Sequence, residues 1–479
     1  MTFTKKQISI VAIAAVTSFM GTFLISSVNI ALPAIEKKFG LDAITLSWTV
    51  TAFLLASGMV LLPVGRFGDL SGIRRLFKIG VIIFTLSSLM SGLSQTGWQL
   101  IVSRFIQGIG AAFTSTTGPA ILVSAFLPQY RGRMLGISVS AVYLGLAFGP
   151  FAGGFLTQYL GWRSIFFVST GLGLITTLIA FLFLGKDEST GLKGKKIDLR
   201  GTLFYMLGLV VLVYGSSLIP NLYGWILMGV SVPALILFWR YESKSAMPVI
   251  DTKLYTQNRL FAYSNLAALI NYTATFAIIF LLSLYLQKIK GLSPRDAGIL
   301  LVAQPIVMAV FSPIAGRLSD RIQPRYLATL GMSMCTIGLV GFAFLSAATP
   351  LWVIVSLLVW VGFGFAAFSS PNMNTIMSSV DRTRYGLASG SASTMRVVGQ
   401  IMGMTITTLF FAGMFGHEAI KTVPDQVFLS ALNWGFFTFS LISMAGPSWH
   451  HPRQLVSSRV NFLFGVVSPT LIFSISSIA

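Results

Sequence analysis

Apolar stretches of about 20 residues recur along nearly the whole chain, separated mostly by short polar connections such as 94–97, 161–163 and 221–224. An α-helix rises about 1.5 Å per residue, so each stretch is long enough to cross a hydrocarbon core of roughly 30 Å. Within lipid the backbone must satisfy its own hydrogen bonds, which leaves helices as the structure these stretches can adopt. Composition agrees: of 479 residues 54% are hydrophobic and 10% charged, with a mean hydropathy of +0.81. A single soluble core cannot bury that much apolar surface. The chain therefore reads as an all-α polytopic membrane protein of about fourteen transmembrane helices.

The expected spans are 8–32, 46–64, 76–94, 98–117, 134–157, 163–184, 199–218, 222–240, 260–286, 297–316, 326–347, 351–370, 389–415 and 427–446. Lys5 and Lys6 precede the first, which is too long for a signal-peptide core and is expected to be retained. With loops assigned alternately and the N-terminus cytoplasmic, most of the 33 Lys and Arg fall on the inner side. That is the bias of a plasma (inner) membrane protein, and it accounts for much of the net charge of +20. Basic residues dispersed among short loops do not make a nucleic-acid surface. Another uncharged apolar stretch, 460–479, is long enough for a fifteenth span and equally compatible with an interfacial tail.

Two loops repeat. Residues 63–75 read PVGRFGDLSGIRR and residues 313–325 read PIAGRLSDRIQPR. Aligning Gly65 with Gly316 also aligns Arg66 with Arg317, Asp69 with Asp320 and Arg74 with Arg325. Each copy follows the second span of a presumed six-span half, so the chain divides into 1–185, an inserted helix pair at 186–259, a second bundle at 260–446 and a tail at 447–479. Two related bundles around a central site are a recurring transporter plan. Asp can bond Arg side chains or a helix N-terminus, so these eight residues are candidates for a cytoplasmic gate.

The fifth span contains GLAFGPFAGGFL, with Gly145, Gly149, Pro150, Gly153 and Gly154. Gly and Pro are poor helix formers, and inside a membrane such residues point to close helix approach. Together these segments resemble the major facilitator superfamily. GRFGDLSGIRR is similar to that family's signature between spans two and three, and LIVSRFIQGIGAA (100–112) to its span-four motif, with Arg104 at the arginine. GLAFGPFAGG is similar to the span-five antiporter signature, and VNIALP (28–33) to the end of span one in the fourteen-span drug:proton antiporters of the EmrB/QacA-like group. The resemblance implies two six-helix bundles plus two inserted spans, secondary active export of drug-like amphiphiles, and a proton gradient rather than a bound cofactor as the energy source. It also implies a small-molecule substrate; an envelope adaptor protein is not readable from it.

One position departs from that group. Where an acidic residue commonly stands in span one, this chain has Leu24. All 13 Asp and Glu lie in expected loops or at span ends, and His417, His450 and His451 lie outside the spans. The two charges within spans are Arg104 and Arg396. Intramembrane charges are costly and are commonly functional, so both are candidates for coupling or for the cavity. An arginine stays protonated and cannot itself carry the proton. The lack of a membrane carboxylate leaves open a carrier of neutral or anionic metabolites, and a non-transporting sensor is a further alternative. Mid-span polar residues mark a candidate cavity: Asn29, Gln107, Tyr143, Asn271, Gln304, Asn372 and Asn374. No HExxH motif, P-loop or intramembrane Ser–His pair occurs, which argues against an enzyme or a self-contained ATP-driven pump.

Overall fold

The computed structural model describes residues 4–126, 128–185, 199–244, 252–319, 321–380, 385–416 and 418–446. The first six helices are α1 (Lys5–Phe39), α2 (Ala43–Ser71), α3 (Ile73–Leu93), α4 (Gly97–Ala125), α5 (Pro128–Leu160) and α6 (Arg163–Phe183). A pair follows, α7 (Leu199–Ser217) and α8 (Leu222–Glu242), then the short α9 (Thr252–Gln257). The last group is α10 (Arg259–Thr275), α11 (Ala277–Lys288), α12 (Pro294–Leu301), α13 (Ala303–Ser319), α14 (Pro324–Phe342), α15 (Leu351–Ser378), α16 (Tyr385–Phe415) and α17 (Asp425–Ala445).

Thirteen spans among the described residues are long and apolar enough to cross a membrane; α10 with α11, and α12 with α13, each count as one. The 29-residue α4, with Arg104 and Gln107 buried on it, completes fourteen. The apolar stretch 460–479 lies outside the described residues, as do His417, His450 and His451. Helix α1 shows how sequence sets the ends. Thr4 and Gln7 form a reciprocal capping box at its start, and Gly40 closes it with a left-handed φ of 64°. The helix runs on to Phe39, beyond the apolar run that ends near Leu32, and so carries Glu36 into a buried position.

The repeat seen in the two loops extends to the packing. In the first half α1 packs on α5, α2 on α4, and α3 on α4 and α6. In the second half α10 packs on α16, α13 on α15, and α14 on α15 and α17. The halves meet along α2–α16 and α5–α13, again as related pairs, and also along α5–α12 and α1–α11. Helix α7 lies beside the α2–α16 seam, where the Tyr205 hydroxyl donates to the Gly58 carbonyl at 3.0 Å. Helix α8 packs on α7 through the Tyr205–Phe238 ring pair.

Candidate functional site

The two ends of the bundle are designated the Lys5 face and the Phe39 face, after the ends of α1. Hydrogen bonds joining the halves gather toward the Phe39 face. Ser283 Oγ donates to the Asn29 carbonyl at 2.6 Å, and Gln287 Nε2 to the Ile30 carbonyl at 3.0 Å. Ser47 and Thr408 hydroxyls are 3.1 Å apart. The Lys421 amide donates to Glu36 Oε1 at 2.7 Å, and the Ala43 amide to the Glu418 carbonyl at 2.9 Å. The Phe39 face is thus closed.

The glycines of α5 build two different surfaces. A Cβ on Gly145 would meet the Phe19 carbonyl oxygen at 2.6 Å, one on Gly149 the Ser26 Cβ at 2.6 Å, and one on Gly153 the Ser27 Cα at 2.7 Å. These three let α5 lie directly on α1, where hydroxyls stitch the pair. Ser18 bonds Ser138, Thr22 donates to Val142 O, Ser26 to Leu146 O and Ser27 to Gly149 O. Gly154 and Pro150 face the other half instead. A Cβ on Gly154 would overlap the Pro294 carbonyl oxygen, and one on Gly298 would overlap the Pro150 carbonyl oxygen. Small residues on α5 therefore allow close backbone approach both within the first half and across the seam.

Arg104 is fully enclosed within the first half. Its Nε donates to the Thr49 carbonyl at 3.0 Å, Nη1 donates to Gln107 Oε1, and the guanidinium lies over the Phe53 ring at 4.4 Å. Gln107 passes the chain on to Ser88 Oγ at 2.6 Å. Nη2 is buried without a partner among the described residues. This network ties α4 to α2 and α3 and presents no open face to a substrate.

Arg396 is placed differently. It sits half-buried on α16, on the stretch that packs against Tyr272 of α10 through Met395 and Gly399, and its charge bears on the Tyr272 hydroxyl. Ser369 of α15 lies 3.4 Å from the Tyr143 hydroxyl of α5 and close to Tyr272. Tyr272 also meets the Phe365 ring edge-on at 5.4 Å. Tyr143, Tyr272, Ser369 and Arg396 are each half-buried, come from four helices and span both halves. This cluster lies between mid-depth and the Lys5 face.

The remaining candidates scatter. Asn29 lies in the α1–α11 seam with its side-chain oxygen buried and unpartnered among the described residues. Asn271 is enclosed in the second half near Cys335. Gln304 is buried on α13 with an unpartnered Oε1; Asn372 donates to Ser264 O at 3.1 Å, and Asn374 to Ser319 Oγ at 3.1 Å. Leu24 is fully buried in the core that spans both halves. The sequence reading missed Tyr272, Ser369 and Glu36.

At the Lys5 face, Gly65, Arg66 and Asp69 fall on the last turns of α2, with side chains outside the described residues, and Asp320 lies outside them entirely. Between α2 and α3, Gly72 has φ 95°, which only glycine adopts readily. Arg74 is half-buried near the backbone at Gly185. In the second copy, Gly316 faces Ser370, Arg317 is exposed, and Arg325 donates to the Tyr326 hydroxyl at 3.0 Å.

The sequence family described as Major Facilitator Superfamily matches residues 11–404. The chain belongs to the major facilitator superfamily. It is a secondary transporter rather than an enzyme, and its all-helical, multi-span fold is that of the superfamily. It is 33% identical over 450 residues to the riboflavin transporter RibZ of Clostridioides difficile (strain 630), covering 92% of this chain and 96% of that one. It is 29% identical to the multidrug resistance protein Stp of Mycobacterium tuberculosis (strain ATCC 25618 / H37Rv), covering 84% and 76% of the two chains. Among solved structures it resembles a bacterial homolog of the lysosomal transporter Spinster, with TM-score 0.67, 15% identity and coverage of 94% and 97%. It also resembles a D-xylose-proton symporter, with TM-score 0.66, 12% identity and coverage of 93% and 97%. At these identities the structural likeness bears on fold alone.

Proposed function

We propose that this chain exports small amphiphilic, drug-like compounds from the cytoplasm by alternating access, driven by the proton gradient. The observation that carries the reading is the asymmetric seam: the halves are hydrogen-bonded toward the Phe39 face, with the half-buried Tyr143–Tyr272–Ser369–Arg396 cluster on the Lys5 side of it. In alternating access one face closes while the site is exposed to the other. The excess of Lys and Arg in loops on the Lys5 side supports a cytoplasmic assignment for that face. The Pro63–Arg75 and Pro313–Arg325 segments then form the cytoplasmic gate, with Asp69, Arg66 and Arg74 as its charged residues. The span-five segment and the VNIALP match favour the fourteen-span antiporter group. Relatives named as a riboflavin transporter and a multidrug resistance protein support small aromatic or amphiphilic cargo.

Flux into proteoliposomes, with pH gradient and membrane potential imposed separately, tests this reading. Uphill movement of an amphiphilic probe that follows the pH gradient is expected. Movement that follows neither gradient contradicts proton coupling and leaves a facilitator of neutral or anionic metabolites.

A further inference from the structure

From the cluster at Arg396 we infer that the transported compounds present a planar acceptor group, a carboxylate or a pair of adjacent acceptors on an aromatic frame, and that this group docks on Arg396 on the Tyr272 side of the seam. The inference rests on the transport reading above and names its substrate class.

Of Arg104 and Arg396, the two arginines that the sequence sets deep within spans, only Arg396 is open. Arg104 is spent on Thr49, Gln107 and Phe53 and is fully buried. Arg396 is half-buried, and among the described residues no carboxylate pairs with it and no group hydrogen-bonds it. A guanidinium inside a membrane protein needs a partner, and its planar fork matches a carboxylate or two adjacent acceptor atoms in two-point contact. The neighbouring groups favour the same ligand. The Tyr143 and Tyr272 rings offer flat apolar surface for an aromatic frame, and the Ser369 hydroxyl, 3.4 Å from the Tyr143 hydroxyl, adds a polar group beside them. Phe365 holds the Tyr272 ring edge-on from behind.

The same geometry disfavours lipophilic cations. No carboxylate among the described residues stands at the cluster to offset them, and Arg396 repels them at short range. The four side chains come from α5, α10, α15 and α16, so a ligand bridging Arg396 and Tyr143 touches both halves. Such a ligand senses the seam, which a site confined to one half does not.

The test measures proteoliposome flux of two probes through the full-length chain: riboflavin, which is uncharged and has a planar ring with a carbonyl oxygen beside an acceptor ring nitrogen, and ethidium, a planar cation. The parent chain is expected to move riboflavin at least tenfold faster than ethidium. Arg396→Gln is expected to lose riboflavin flux about tenfold or more, Arg396→Lys to keep part of it, and Tyr272→Phe to change it less. Arg396→Lys retains the charge and guards against simple misfolding, which a monodisperse elution profile checks for each variant. Equal riboflavin flux in the parent and in a well-folded Arg396→Gln overturns the inference and leaves the transport reading intact. A parent that moves ethidium but not riboflavin does the same. A parent that moves neither probe overturns both.

Discussion

The Glu36 carboxylate accepts the Lys421 amide at 2.7 Å, joining the end of α1 in the first half to the segment before α17 in the second. Glu36 is almost fully buried there, with Lys288 and Lys421 close enough to bear on its charge. The same corner holds the Ala43–Glu418 backbone bond and the Lys288–Asp425 ion pair at 3.3 Å. The ion pair has an exposed Asp425 and contributes little. The buried carboxylate–amide bond, in contrast, must break whenever the halves part at the Phe39 face.

Removing that bond is expected to loosen the closed seam without unfolding either half. Glu36→Ala should speed amide exchange around Ile420–Thr422 by about tenfold, or ~1.4 kcal/mol, which is a typical value for one charge-assisted bond. Glu36→Gln retains an acceptor oxygen and should show a smaller effect. Unchanged exchange in Glu36→Ala, read by mass spectrometry, contradicts the assignment.

Glycine substitutions on α5 should separate folding from state choice. Gly145 packs within the first half, so Gly145→Ala strains every conformation and is expected to lower the melting temperature in detergent. Gly154 meets Pro294 of the second half, so Gly154→Ala strains only the state closed at the Phe39 face. It should leave melting nearly unchanged and shift the population toward an open Phe39 face, read as greater thiol-reagent labelling at a cysteine placed in the α1–α11 seam. The native Cys335 is buried and adds little background.

Arg104 is expected to act on stability, not on substrate affinity. Arg104→Met strands Gln107 and the Thr49 carbonyl in a closed interior and should cost about 2–4 kcal/mol. Arg104→Lys keeps the charge but not the fork and should cost less. Melting curves with and without ligand check this: a normal melting temperature together with lost binding would place Arg104 in the site after all.

A buried bond from Tyr205 to the Gly58 carbonyl ties the inserted pair to the seam. Tyr205→Phe should cost about 0.6 kcal/mol, the usual scale for a single hydrogen bond between membrane helices. A larger loss of transport than of stability would mean that α7 takes part in the motion along α2–α16.

The spans were legible because bilayer thickness imposes a length on every apolar run, and the internal repeat pointed to paired packing in the two halves. The site was legible only in part. Both intramembrane arginines stand out in the sequence, but which one is enclosed depends on helix rotation. A chain that is apolar on nearly all faces carries little periodic signal of rotation. Tyr272 and Ser369 are ordinary residues of membrane helices and acquire meaning only by meeting Arg396 and Tyr143 across helices. Glu36 lies past the apolar run at Leu32, where hydropathy stops but the helix continues to Phe39, so composition placed it at a span end. The Gly145–Gly154 segment stands out in the sequence by its glycines, yet its division into an intra-half surface and an inter-half surface required the partners.

The most direct test of alternating access about this seam is a reversible lock at the Phe39 face. Ser47 and Thr408 hydroxyls lie 3.1 Å apart across the halves, so Ser47→Cys with Thr408→Cys should form a disulfide under mild oxidation. Substrate flux in proteoliposomes would be measured oxidised, then reduced, alongside each single variant. Flux should fall close to zero in the oxidised double variant and return on reduction, with the single variants unaffected. Full flux through the cross-linked protein would contradict the account, because transport would then proceed without opening the Phe39 face.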